Sequence, residues 1–327
     1  MRDGLPEIGD VVEAAQRLLR HAVVTPLLRS DALDDAVGGR LLVKAEPLQR
    51  TGSFKFRGAY NRISRLSDDE VGRGVVAWSS GNHAQGVAAA AALVGAPATI
   101  VMPSDAPAPK IANTCALGAE IVFYDRYAES REAIGASIAE DKGATIVRPY
   151  DDPWIIAGQG TVGLEAAAQA MALGLQPDHA LVPCGGGGLI AGCALALTDH
   201  LPAITVHPVE PTGFDDTTRS LATGERQTND PAARSICDAL LAPEPGELTF
   251  SLNRQLLGEG VVVSDAEAET AVRLAFEHLK IVVEPGGAVA LAATLSGRFD
   301  CTSKTVLIVL SGGNIAPERF RHALETS

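Results

Sequence analysis

The 327-residue chain is long enough for two α/β domains or one large unit, and its formal net charge of −13 argues against nucleic acid, whose phosphates need clustered Lys and Arg. Hydrophobic residues make up 46% of it but aromatics only 4%, so a core has to be built from Ala, Val, Leu and Ile. The five cysteines, Cys115, Cys184, Cys193, Cys237 and Cys301, form no CxxC pair and are odd in number, which argues against a disulfide framework or zinc site and for a reducing compartment.

The N-terminus, Met1-Arg2-Asp3-Gly4-Leu5-Pro6, lacks the apolar stretch of a secretory signal, and no run approaches the ~20 apolar residues of a membrane span. The expectation is a cytoplasmic protein with no membrane partner. Short, continuous, β-branched runs predict strands at 41–45, 75–78, 98–102, 121–124, 145–147, 180–183, 204–209 and 305–310. Helices are expected between them at 82–93, 109–117, 129–141, 156–171, 189–195, 266–279 and 288–295. This alternation implies βαβ units and a largely parallel sheet. The stretch 212–256 is more polar and reads as loops with short helices.

Four motifs carry chemistry. In Thr51-Gly52-Ser53-Phe54-Lys55-Phe56-Arg57-Gly58, a Lys follows a turn and is flanked by two Phe. Apolar surroundings favour the neutral amine that a Schiff base needs, although a lone Lys also suits an amphipathic surface helix. In Ser79-Ser80-Gly81-Asn82-His83, Ser and Asn can cap a helix whose free N–H groups suit a carboxylate, and the Asn82 amide could donate to a phenolate oxygen. His83 reads either as a base or as a hydrogen-bonded structural residue. Gly185-Gly186-Gly187-Gly188, between a strand and a helix, forms a nest of backbone N–H groups suited to phosphate. It is neither GxGxxG nor a nucleotide P-loop, which disfavours a nicotinamide dehydrogenase. In Ser311-Gly312-Gly313-Asn314, the Ser hydroxyl could meet a heteroaromatic nitrogen. Each motif alone is also an ordinary turn or cap. Together they supply what one aromatic aldehyde phosphate requires, and the three Gly-rich loops among them follow strand ends, where open α/β sheets bind ligands.

With these residues, the sequence resembles the serine/threonine dehydratase (ammonia-lyase) family of fold type II pyridoxal-phosphate (PLP) enzymes, including its serine racemase and threo-3-hydroxyaspartate dehydratase branch. The likeness runs from Thr25-Pro26-Leu27 to Ser311-Gly312-Gly313-Asn314. It implies a tryptophan synthase β-like α/β fold with two open, twisted, mainly parallel sheet domains. The large PLP-binding domain would comprise 1–73 and 148–327, and a small substrate-side domain 74–147.

By resemblance, Lys55 holds the cofactor and takes the α-proton. Phe54, Asn82, Gly185, Gly186, Gly187, Gly188, Leu189 and Ser311 complete the PLP site. Ser79, Ser80, Asn82, His83 and Arg131 surround the amino-acid substrate. Glu210, the Phe214 carbonyl and Asp216 match the Mg²⁺ or Ca²⁺ ligands of metal-dependent members, although the same residues fit a solvated acidic loop. A homodimer is expected.

The implied reaction is α,β-elimination from L-threonine, L-serine or a β-substituted serine, giving a 2-oxo acid and ammonium. A Ser at position 80 matches the racemase branch, so racemisation is a second candidate activity, as is specificity for hydroxyaspartate or phenylserine. A PLP-binding protein without lyase activity would lack the carboxylate clamp, which is intact here.

Overall fold

Buried aliphatic runs and Ala-rich helices assemble into two separate sheets. The computed structural model describes residues 4–106, 108–125 and 128–325, so Met1, Arg2 and Asp3 of the N-terminal stretch lie outside it. Its strands are β1 (Leu27–Leu28), β2 (Arg40–Ala45), β3 (Val75–Trp78), β4 (Ala98–Pro103), β5 (Glu120–Tyr124), β6 (Thr145–Ile146), β7 (His179–Pro183), β8 (Thr205–Pro211), β9 (Val261–Val263) and β10 (Thr305–Leu310). One sheet has the order β1-β2-β10-β7-β8-β9, the other β5-β4-β3-β6. All pairings are parallel except β1 with β2. The strands between 75 and 146 make the smaller sheet; those on either side of that stretch make the larger.

The central strands show no in–out alternation. Every residue of β4 is buried, as are all but the first of β2 and β10, because helices cover both faces of each sheet. Lys44 on β2 is the buried charge among them. Its amine, inaccessible to solvent, is met by Glu165 Oε2 and the Thr25 carbonyl at 2.7 Å and by Gln169 Oε1 at 3.0 Å.

Helix Pro153–Ala172 opens with Pro at its first position, and Asp152 accepts the N–H groups of Trp154 and Ile155. It packs so closely on helix Gly188–His200 that a Cβ at Gly163 would lie 2.8 Å from the Cys193 carbonyl. Among the described residues, no helix is long and apolar enough to cross a membrane.

Two strands carry no readable sequence signal. β1 and β9 have two and three residues, too short for a period, and are made strands by the neighbours they pair with. The helix expected over 266–279 runs regularly only through Asp265–Leu274. It then widens into a π-turn, Ala275–Leu279, ended by Lys280 in the left-handed conformation at φ 59°. The polar stretch contains helices Asp216–Thr223 and Glu247–Leu256 among its loops.

Candidate active site

The carboxyl ends of β3, β6, β7 and β10 open onto one cleft of about 470 Å³. Phe54, Lys55, Ser79, Ser80, Asn82, His83, Arg131, the four glycines 185–188, Leu189 and Ser311 all line it. A more open groove of about 510 Å³, bounded by Leu5, Ile8, Leu195 and Leu252, collects none of these groups. Polar convergence, not size, therefore picks out the cleft.

Lys55 starts helix Lys55–Ile63. Its amine donates to the Pro149 carbonyl at 2.7 Å and lies 5.1 Å from the centre of the Phe54 ring. Burial pulls its pKa down to about 8, because the charged form loses hydration. Two residues on, Arg57 is fully buried and forked between Glu46 (Nε and Nη2, both 2.8 Å) and Glu165 (Nη1 at 2.7 Å, Nη2 at 2.9 Å). The preceding turn is zipped to the loop after β10. The Phe54 N–H donates to the Ser311 carbonyl at 3.1 Å, and the Gly313 N–H to the Gly52 carbonyl at 2.8 Å. Lys55 and Ser311 are thereby held together across most of the sequence.

The glycine loop joins β7 to helix Gly188–His200. Gly187 has φ +90°, and a Cβ on Gly186 would run into the Tyr150 ring, so two of the four positions demand glycine for different reasons. The first intrahelical bond is from the Ala191 N–H to the Gly187 carbonyl at 3.0 Å. The earlier N–H groups of the turn have no acceptor within the helix and are free for an anion.

Asn82 is clamped from both sides. Its Nδ2 donates to Glu284 Oε1 at 2.5 Å, and Asn314 Nδ2 donates to its Oδ1 at 2.7 Å. Burial, helped by the negative charge of Asp238, pushes the Glu284 carboxyl up to about 7. His83 is neutral, because burial and the nearby Lys55 charge drive its pKa down to about 3. Its Nε2–H donates to the Val147 carbonyl at 2.9 Å, while Nδ1 is buried without a partner. Ser79 Oγ accepts the Gly81 N–H at 3.1 Å. Arg131 lines the cleft but pairs with Glu132 at 2.8 Å, and its guanidinium is about half-exposed.

The chain that brings a buried amine, a nest of N–H groups and a clamped amide into one cleft matches, over residues 18–312, the family model described as pyridoxal-phosphate dependent enzyme. The chain belongs to this family. It is 41% identical over 317 residues to the L-threo-3-hydroxyaspartate ammonia-lyase of Saccharomyces cerevisiae, covering 97% of this chain and 95% of that protein. It is 42% identical over 309 residues to the L-threonine ammonia-lyase of Thermotoga maritima, covering 93% and 75%. The structure of maize serine racemase superposes with a TM-score of 0.91 at 38% identity, covering 98% of this chain and 97% of that one.

The fold is thus that of the fold type II PLP enzymes, and the family's cofactor is pyridoxal phosphate. The cleft suits it: Gly186 and Gly188 make room against Tyr150, and burial has pulled the Lys55 amine down to about 8, so that its proton is given up far more easily than from an ordinary lysine.

Glu210, Phe214 and Asp216 lie outside the cleft lining. Glu210 is near the end of β8, and both its carboxylate oxygens accept hydrogen bonds at the start of helix Asp216–Thr223: Oε1 from the Thr217 N–H at 2.9 Å, Oε2 from the Thr218 N–H at 2.8 Å and the Thr218 hydroxyl at 2.6 Å. Asp216 Oδ1 accepts from Asn229 at 2.6 Å, whereas Oδ2 is buried without a partner. Burial and the other's charge push Glu210 up to about 8; burial pushes Asp216 up to about 6. An orphaned carboxylate oxygen beside a second buried acid fits a hard cation. Among the described residues, however, no cluster of three or more His, Cys, Asp or Glu side chains forms a ready ligand set.

Tyr150, Lys110, Asp238 and Glu284 also line the cleft, and none was picked out from the sequence. The run Glu284-Pro285-Gly286-Gly287 at a helix start carries a signal of its own: an acid followed by a first-turn Pro and two glycines. A Cβ on Gly287 would press on the Gly312 carbonyl.

Proposed function

We propose that this chain is a PLP-dependent ammonia-lyase that eliminates water from a small β-hydroxy amino acid. The observation that carries the reading is the convergence of a desolvated Lys55 amine, the glycine nest and the clamped Asn82 in one cleft. The family membership and the ammonia-lyase relatives support it. Gly185–Gly188 and Leu189 would hold the cofactor phosphate, Phe54 would pack beside the ring, Asn82 would donate to the 3′-oxygen and Ser311 would face the ring nitrogen. When bound, the cofactor supplies the electron sink that makes the substrate α-proton removable.

The chain's own residues do the rest. The start of helix Asn82–Val94, with Ser79, Ser80, Asn82 and His83, receives the substrate carboxylate. The neutral Lys55 amine takes the α-proton, and the β-hydroxyl leaves with a proton as water. The resulting enamine becomes an imine and takes up water to give the 2-oxo acid and ammonium. Neutral His83 can accept a hydrogen bond through Nδ1 without adding charge beside Lys55. Arg131, half-exposed at the rim, turns toward substrate as residues 74–147 close as a small domain against 1–73 and 148–327. The Lys110–Asp238 ion pair at 2.6 Å already joins the two sides.

The test is Lys55→Ala together with a substrate panel of L-serine, L-threonine, L-threo-3-hydroxyaspartate and L-phenylserine. Oxo-acid release by the unmodified protein, abolished in the variant, is the expected outcome; substantial turnover by the variant sinks the assignment. Racemisation is the second reading, favoured by the Ser80 hydroxyl in the cleft and by the similarity to serine racemase. A D-isomer appearing faster than oxo acid would give Ser80 the second proton-transfer role.

A Mg²⁺ or Ca²⁺ ion at Asp216, with Glu210 and the Phe214 carbonyl, is part of the proposal. Chelation should lower the melting temperature and added Mg²⁺ restore it; no change on chelation would remove the metal. A cytoplasmic location agrees with five cysteines that are all free.

A further inference from the structure

Asn253, on helix Glu247–Leu256, is fully buried, and neither its Nδ2 nor its Oδ1 has a hydrogen-bond partner. Buried amides are almost always paired, because an unmade bond costs the full desolvation of the group. An apolar side chain of similar size would avoid that cost, and the same helix buries Phe250 and Leu252 elsewhere. A polar group with both ends unmade therefore asks for a partner that arrives later.

Its position says which. A Cβ on Gly187 would lie 2.8 Å from Asn253 Nδ2 and 3.0 Å from Thr249 Oγ1, so the amide presses against the left-handed residue of the glycine loop. One turn earlier, the Thr249 hydroxyl donates to the Gly186 carbonyl at 2.7 Å, and the Gly246 N–H reaches the same oxygen at 3.4 Å. The start of this helix is in turn fixed by Asp151, which accepts the N–H groups of Glu247 (3.2 Å), Leu248 (2.9 Å) and Thr249 (3.2 Å). Asp151 follows Tyr150, whose ring fills the side-chain space of Gly186. The helix is a brace behind the loop, and its one unsatisfied side chain touches the loop's centre.

We propose that Asn253 is a positioning residue of the phosphate cradle, whose amide gains its partners only when the loop holds a phosphate group. The proposal rests on the cofactor reading above. It makes Asn253 a two-sided residue: unfavourable in the empty protein and favourable in the loaded one.

The test uses the full chain stripped of cofactor, as wild type and Asn253→Leu. Each is titrated with PLP and with pyridoxal, which lacks the phosphate, the bound fraction being fixed to Lys55 by borohydride and read by mass. Thermal melting is followed with and without inorganic phosphate. The expected result is that Asn253→Leu melts higher when empty, loses most of the phosphate-induced shift and binds PLP at least tenfold more weakly, while pyridoxal labels both proteins alike. Asn253→Ser, which needs no extra space, should show the same selective loss if the Leu variant fails to fold. Unchanged PLP affinity, or equal losses for PLP and pyridoxal, would overturn the role. Wild-type protein that takes up neither compound would bring down the cofactor reading and this proposal together, an outcome distinct from the other two.

Discussion

At the scale of single residues, the cleft is governed by what burial does to charge. Lys55 and His83 both lose hydration, and each loses its proton more readily as a result. For His83 this has a consequence for stability. Above its ordinary value of 6.5 the imidazole is neutral whether the chain is folded or not, so it contributes no pH dependence. Below 6.5 the unfolded chain binds a proton that the folded chain refuses until about pH 3. Stability should therefore fall by about 1.4 kcal/mol per pH unit from this group alone as pH drops through that window. Replacing His83 by Gln should flatten the melting-temperature profile between pH 6.5 and 4.5; an unchanged slope would mean that the imidazole does take up a proton.

The same scale shows what was legible in the sequence. Lys55 and Gly185–Gly188 stand out because each motif carries its local reason in neighbouring residues. For Glu284 the following Pro and glycines mark only a helix start, and the acid's role comes from Asn82, 202 positions away. Tyr150 is equally silent, because what it does is fill the space that Gly186 and Gly188 leave open.

At the scale of elements, long buried strands and Ala-rich helices were readable, and β1 and β9 were not, since pairing creates them. Helix Pro153–Ala172 binds the site together: it carries Glu165, which holds both Arg57 and Lys44, and Asp152 caps its start. Asp152→Ala removes that cap and the ion pair with Arg62 at 3.2 Å. It should destabilise the protein by about 1 kcal/mol in chemical denaturation while leaving kcat nearly intact, because Arg57, two residues from Lys55, is held by Glu165 several turns further along this helix. A large fall in kcat with no loss of stability would show instead that the helix start sets the position of the lysine.

At the scale of the molecule, we propose that a face carrying Leu19, Val24, Leu48 and Val282 joins two copies. These side chains are 69%, 68%, 49% and 42% exposed. The segments of Val24 and Leu48 are tied by the Gln49 side chain, which bonds both the N–H and the carbonyl of Val23, and a Cβ on Gly313 would meet both the Val282 carbonyl and the Pro47 side chain. Leu48→Asp should shift sedimentation toward the monomer, whereas Phe123→Asp, at an equally exposed position on β5 in the smaller sheet, should not. A wild type that sediments as a monomer at micromolar concentration would remove the dimer.

The two sheets also divide labour. Lys55, the glycine loop and Ser311 are tied to strand ends of the six-stranded sheet, whereas Ser79, Ser80, Asn82 and His83 follow β3 in the four-stranded one. On the proposed reading, most cofactor contacts and most substrate contacts therefore sit on different pieces of chain, with Asn82, clamped by Glu284 and Asn314, joining the two. On that reading a laboratory can try to change the substrate by rewriting the smaller sheet's loops around a retained Asn82, leaving the chemical engine in place.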